Sequence, residues 1–202
     1  MKNTIISLIL LLAMSLFSNK VIACGKLTGK FAEVPKEAQE VLTLALGLFC
    51  KLQGKKPQWR NLRITQVARG IDSQARMIAL CLQRDGCTVY ENQEAITEIK
   101  SLKDKSQQSI ANKIRTQIER GCYVSKHLTN RGVDVGTGWE SQFENYKTLV
   151  DSLATIISEM SYTVGKKTYK PIVINKRHGT GPHLHINFPP YGFNPKKCPG
   201  SS

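Results

Sequence analysis

The spacing of apolar residues along this chain switches repeatedly between the helical and the strand period. Pro35, followed by Glu37 and Glu40, opens a helix in which Val41, Leu42, Leu44, Ala45, Leu48 and Phe49 cover most of the circumference. That helix is expected to be largely buried and to stop near Gly54. Leu62-Arg63-Ile64-Thr65-Gln66-Val67 alternates, as a half-buried strand does. Asp72 is expected to cap a helix carrying Met77, Ile78, Leu80 and Leu82. After a turn bracketed by cysteines, Ile110, Ile114 and Ile118 mark an amphipathic helix ending at Gly121.

Tyr123 to Ser125 and Gly132 to Val135 read as short strands. Thr137-Gly138-Trp139-Glu140 has the form of a capping box. Trp139, Phe143, Tyr146, Val150, Leu153, Ile157 and Met160 continue it as one helical stripe. A last strand pair falls near Pro171 to Asn175 and His183 to Phe188. Neither repeats nor a low-complexity linker interrupt the pattern. The expected class is α+β: one domain, residues 24–202, with a small antiparallel sheet flanked by helices.

The first 23 residues stand outside this pattern. Lys2, the apolar run Ile5 to Phe17 and the small residue closing Val21-Ile22-Ala23 have the layout of a secretory signal peptide. The run is too short for a membrane anchor, and no later segment is apolar enough to span a bilayer. Val21-Ile22-Ala23-Cys24 also fits a lipobox, which would place a lipid anchor on Cys24. Asn19 and Lys20 interrupt the apolar run and favour simple cleavage. An exported protein, periplasmic or secreted, is the expectation. Its mature part keeps six cysteines, Cys24, Cys50, Cys81, Cys87, Cys122 and Cys198, an even number that suits disulfides and leaves their connectivity open. None sits in a CxxC pair, which argues against a thiolate zinc site.

Composition adds a strong positive charge. The chain carries a formal +14, and removing the two lysines of the first 23 residues leaves +12. Lys51, Lys55, Lys56, Arg60, Arg63 and Arg69 fall in a stretch without acids between Glu40 and Asp72. No acid follows Glu159, where Lys166, Lys167, Lys170, Lys176, Arg177, Lys196 and Lys197 lie. Such a surface favours an anionic partner. Tyr and Phe are not interleaved with the basic residues as stacking platforms for nucleic acid require.

The chain has only four histidines, His127, His178, His183 and His185. His183 and His185 form an H-x-H on an expected strand, where residues two apart share a face. His127 precedes Asp134 by seven positions. Two imidazoles and a carboxylate, with a position left for water, form the donor set of a catalytic zinc.

The sequence around these residues resembles known motifs. Ser125-Lys126-His127-Leu128-Thr129-Asn130-Arg131-Gly132-Val133-Asp134 is similar to the S-x-H-x-x-G-x-A-x-D motif of D-Ala-D-Ala carboxypeptidases. Asn130 replaces its glycine and Gly132 its alanine. Asn tolerates a left-handed backbone, so the turn can be kept. Gly181-Pro182-His183-Leu184-His185 resembles the closing G-x-H-L-H of lysostaphin-type endopeptidases. Both groups belong to one zinc peptidase superfamily, with the murein endopeptidase and the hedgehog zinc domain; the carboxypeptidase-like branch is closest. The resemblance implies His127, Asp134 and His185 as metal ligands and zinc as the cofactor.

A third patch, Ile64-Thr65-Gln66-Val67-Ala68-Arg69 followed by Gln74, is similar to the carboxypeptidase pattern I-T-S-G-Y-R-S-x-x-x-Q. It implies Arg69, with Gln74, as the substrate-binding pair; a guanidinium grips a carboxylate through two parallel hydrogen bonds. One departure changes the chemistry. The carboxypeptidases place a catalytic Glu three residues before the final histidine, where this chain has Pro182. The resemblance to the other branches then implies His183 as the catalytic base, with His178 a candidate for oxyanion stabilisation. The implied activity is a hydrolase: an exported zinc metallopeptidase cutting peptidoglycan stem peptides or cross-links, as carboxypeptidase or endopeptidase. Alternatives are a non-catalytic zinc-binding module and a basic binder of nucleic acid or another anionic polymer. Oligomeric state is left open.

Overall fold

The computed structural model describes residues 25–55, 57–84, 87, 90, 92–137, 142, 144–174 and 183–190. The expected signal peptide and Cys24, most of the capping box, Trp139, Phe143, and the loop with His178 and Pro182 lie outside them.

Strand β1 (Lys26–Gly29) is followed by a 3-10 turn at Phe31–Glu33 and helix α1 (Lys36–Leu52), then β2 (Asn61–Gln66). Helices α2 (Ile71–Arg84), α3 (Gln93–Lys100) and α4 (Gln107–Glu119) come next. A second 3-10 turn, Lys126–Thr129, leads into β3 (Gly132–Gly136), and α5 (Tyr146–Glu159) follows. The chain continues through β4 (Tyr162–Val164), β5 (Lys167–Tyr169), β6 (Ile172–Ile174) and β7 (His183–Asn187). The fold is α+β: among the described residues it has a five-stranded sheet in the order β1-β2-β3-β7-β6, a separate β4–β5 hairpin and five α-helices.

The sheet departs from the expected all-antiparallel form at one edge, where β1 runs parallel to β2. The pairs β2–β3, β3–β7 and β6–β7 are antiparallel. Two other local expectations shift as well. Tyr123 to Ser125 is not a strand; it enters the second 3-10 turn, with no partner strand among the described residues. The α2 helix starts at Ile71, so Asp72 lies within its first turn and not at its cap.

Alternation along the strands divides the sheet into two faces. Leu62, Ile64, Val133, Val135, Leu184 and Ile186 pack on one face, against α1 and α5. Trp59 closes this core, edge-on to Phe49 at 5.3 Å between ring centres. Burying each such aliphatic side chain is worth about 1.5–3 kcal/mol. The α1 helix is less enclosed than its apolar sequence suggests, since Leu44 on its outer side stays 42% exposed. A second cluster joins α2, α3 and α4 through Ile78, Ile96, Ile99, Ile110 and Ile114, with Leu128 of the 3-10 turn against it. Cys81 and Cys87 are disulfide-bonded at this cluster's edge. Cys50 and Cys122 are disulfide-bonded too. Among the described residues no helix is long and apolar enough to cross a membrane.

Candidate metal centre

The sheet face turned away from α1 and α5 carries the histidines. Asp134 pairs with His185 in register, and Gly136 with His183, so all four positions share that face. His127 arrives from the 3-10 turn. Ser125 opens that turn in an extended conformation, and its hydroxyl accepts from the His127 N–H at 3.4 Å. Leu128 holds the turn against the helical cluster while His127 is buried over β3. Asn130 ends it in the left-handed conformation, φ 56°, as the tolerance of Asn for that region anticipates.

Ligand atoms of His127, Asp134 and His185 lie within 4.8 Å of one another, so this group could hold a metal ion. His127 and Asp134 are buried and His185 is half-buried. His127 Nδ1 lies 2.8 Å from the Val67 carbonyl oxygen. A carbonyl only accepts, so Nδ1 carries a proton and donates, with Nε2 toward Asp134 Oδ2 at 3.2 Å. His185 is held the other way round. Its Nε2 lies 2.8 Å from Asn187 Oδ1 and its Nδ1 lies 2.7 Å from Asp134 Oδ1. Each imidazole thus has one nitrogen bound to an outer partner and the other turned to the carboxylate. That is the orientation metal-ligating histidines adopt.

Burial works to raise the Asp134 carboxyl, but hydrogen bonds and charge from His127 and His185 outweigh it. The carboxyl is held well below the ordinary carboxylate range and is ionised. An N/N/O donor set with an anionic oxygen fits a borderline divalent ion better than a soft one. Backbone packing supports the same geometry. A Cβ on Gly132 would lie 3.0 Å from His127 N, 3.2 Å from His127 Nδ1 and 3.2 Å from His185 Cε1. Glycine at this position is therefore what lets the two rings approach, with centroids 5.0 Å apart.

His183, at the start of β7, stands beside this cluster, its Nε2 3.8 Å from Asp134 Oδ1. Arg69 and Gln74 are brought into contact. Arg69 Nη1 donates to Gln74 Oε1 at 3.0 Å, and buried Gln74 donates from Nε2 to the Tyr90 hydroxyl at 2.8 Å. The Arg69 backbone N–H donates to the His127 carbonyl at 3.1 Å, which ties this pair to the turn presenting the first imidazole. His178 falls outside the described residues.

Sequence reasoning missed Asn187, the Val67 carbonyl and the reason for Gly132. For Asn187 a signal existed: it continues the alternation of His183 and His185 on one strand face. Val67 reaches His127 across 60 positions of sequence, which no local pattern reveals.

No protein-family model, curated protein or solved structure matches the chain. Its class is set by fold and site alone: an α+β protein whose sheet carries a buried His/Asp/His group able to hold a metal ion.

Proposed function

We propose that the chain is an exported zinc-dependent peptidase acting on peptide bonds of peptidoglycan stem peptides or cross-links. The observation that carries this reading is the convergence of His127, Asp134 and His185, each imidazole oriented by an outer hydrogen bond, with His183 alongside. His127 Nε2, Asp134 and His185 Nδ1 would hold the ion. Zinc in such a set supplies Lewis acidity, which polarises a carbonyl and makes water acidic enough to ionise near neutral pH.

The chain's own groups do the rest. His183 accepts a proton from the attacking water and returns it to the leaving amine, the general acid–base task imidazoles most often perform. Arg69, held by Gln74, offers its remaining N–H groups to a substrate carboxylate. The mature charge of +12 concentrates the protein on a wall polymer bearing free carboxylates. The signal-peptide layout of residues 1–23 supports export.

One observation favours a second reading, a zinc-binding module without turnover: no acid follows Glu159 in this chain to serve as the usual base. Digestion of purified peptidoglycan, with released muropeptides followed by chromatography, separates the two. The proposal expects release by the zinc-loaded protein, loss of zinc and release in His185→Ala and Asp134→Ala, and zinc without release in His183→Ala. One bound equivalent of zinc with no cleavage of any wall substrate would support the module instead. Salt-sensitive DNA binding that survives zinc removal would point to the anionic-polymer binder.

A further inference from the structure

The histidine-bearing face of the sheet extends past His183 to a cationic side chain, Arg63. Leu62 and Ile64 enter the core, so Arg63 between them stands on the face of Asp134 and His183. Arg63 pairs with Gly136, and Gly136 pairs with His183. Neighbouring strands lie about 4.8 Å apart, so two steps separate the Arg63 and His183 backbones by roughly 10 Å.

Among the described residues, the small Thr65 side chain is what rises between them. Gly136 has no side chain, and Thr65 leans over it, its Cγ2 2.9 Å from where a Cβ would be. Lys26, Thr28, Arg63 and Thr65 are all exposed, leaving the β1–β2 half of this face open. Arg115, Arg120 and Arg131 are paired with carboxylates of the chain itself. Among the described residues no carboxylate of the chain forms an ion pair with Arg63. Gln66 pairs with Asp134 at the middle of the site. Arg69, three residues after Gln66, lies by His127; Arg63, three residues before it, lies on the His183 side. The two arginines flank the ligand group from opposite ends.

We propose that Arg63 is a second carboxylate-binding residue, selecting peptides with an acidic group within about three extended residues of the cleaved bond, on the flank away from Arg69. This rests on the peptidase reading above. The carboxylate comes from an acidic side chain or from a chain terminus, and the same experiment tells them apart.

Zinc-loaded His183→Ala protein, which keeps the ligands, is titrated by fluorescence anisotropy with a labelled wall tetrapeptide. Two further peptides carry an amide at the acidic side chain or at the C-terminus. Adding Arg63→Gln is expected to weaken binding of the free acid about fivefold. It should also abolish the preference for the acid over one of the two amides, which identifies the source. Arg63→Lys should recover part of the affinity. Equal affinities of the Arg63→Gln and parent proteins for all three peptides would overturn the Arg63 assignment alone. Failure of the parent to bind any of them would overturn the peptidase reading, and Arg63's role with it.

Discussion

Asn187→Leu removes the acceptor for His185 Nε2 while keeping the γ-branched outline of Asn. Asn187 is 1% exposed and its Oδ1 lies 2.8 Å from that nitrogen, so water has no ready route to replace it. An N–H left without an acceptor in such a place costs about 1–3 kcal/mol. The ring escapes the cost by moving its proton to Nδ1 or by turning, and both withdraw the lone pair from the metal. The expected loss is about 10- to 100-fold in zinc affinity, the range seen when outer partners of ligating histidines are removed. Competition with a chromophoric chelator measures it. Asn187→Asp keeps an acceptor oxygen and should bind zinc at least as tightly as the parent. Circular dichroism and thermal unfolding of the metal-free proteins check that each variant folds. A folded Asn187→Leu protein with parental zinc affinity would refute the assignment of His185 Nδ1 as the ligand atom.

Gly132→Ala places a methyl within 3.2 Å of both imidazoles, so zinc affinity should fall while the metal-free fold persists; unchanged affinity in the same chelator assay would contradict the packing argument. Leu153→Ala, at a fully buried position, should cost about 2–5 kcal/mol in urea unfolding. Leu52→Ala, at a position 73% exposed, should stay within about 0.5 kcal/mol, and equal effects would contradict the placement of α1 and α5. Glu98 joins α3 to α4: burial works to raise its carboxyl, but hydrogen bonds from Arg120 and Gln117 and the charges of Arg120 and Lys113 lower it below the model-compound value of 4.5. Its contribution is therefore full above that value and is lost as pH falls through the lowered one. The parent should lose up to about 1 kcal/mol more than Glu98→Gln between pH 5 and the acid limit; parallel stability curves would contradict the pairing.

The convergence of His127, Asp134 and His185 was legible because these residues sit in segments with strong local signals. Gly132 to Asp134 alternates, H-x-H fixes two imidazoles to one face, and Asn130 is among the few residues suited to the turn before them. The α1 and α4 helices were legible from apolar spacing for the same reason. Other elements give no such signal. The β1 strand has four residues, three of them exposed, and its parallel pairing depends on a partner 35 positions away. Tyr123 and Val124 look like part of a strand because they are apolar, yet they are buried as the lead into a turn, with no strand beside them among the described residues. The apolar stripe runs from Trp139 to Met160, while the helix α5 itself starts at Tyr146, later than the stripe suggests. The outer partners of the histidines belong to tertiary packing, which local periodicity does not encode.

Zinc K-edge absorption on the protein loaded with one equivalent tests the central claim most directly. The account predicts only nitrogen and oxygen neighbours at about 2.0–2.2 Å, with imidazole scattering from two rings, and no bound zinc left to give that spectrum in His185→Ala. A sulfur shell near about 2.3 Å, or a spectrum unchanged in His185→Ala, would contradict it.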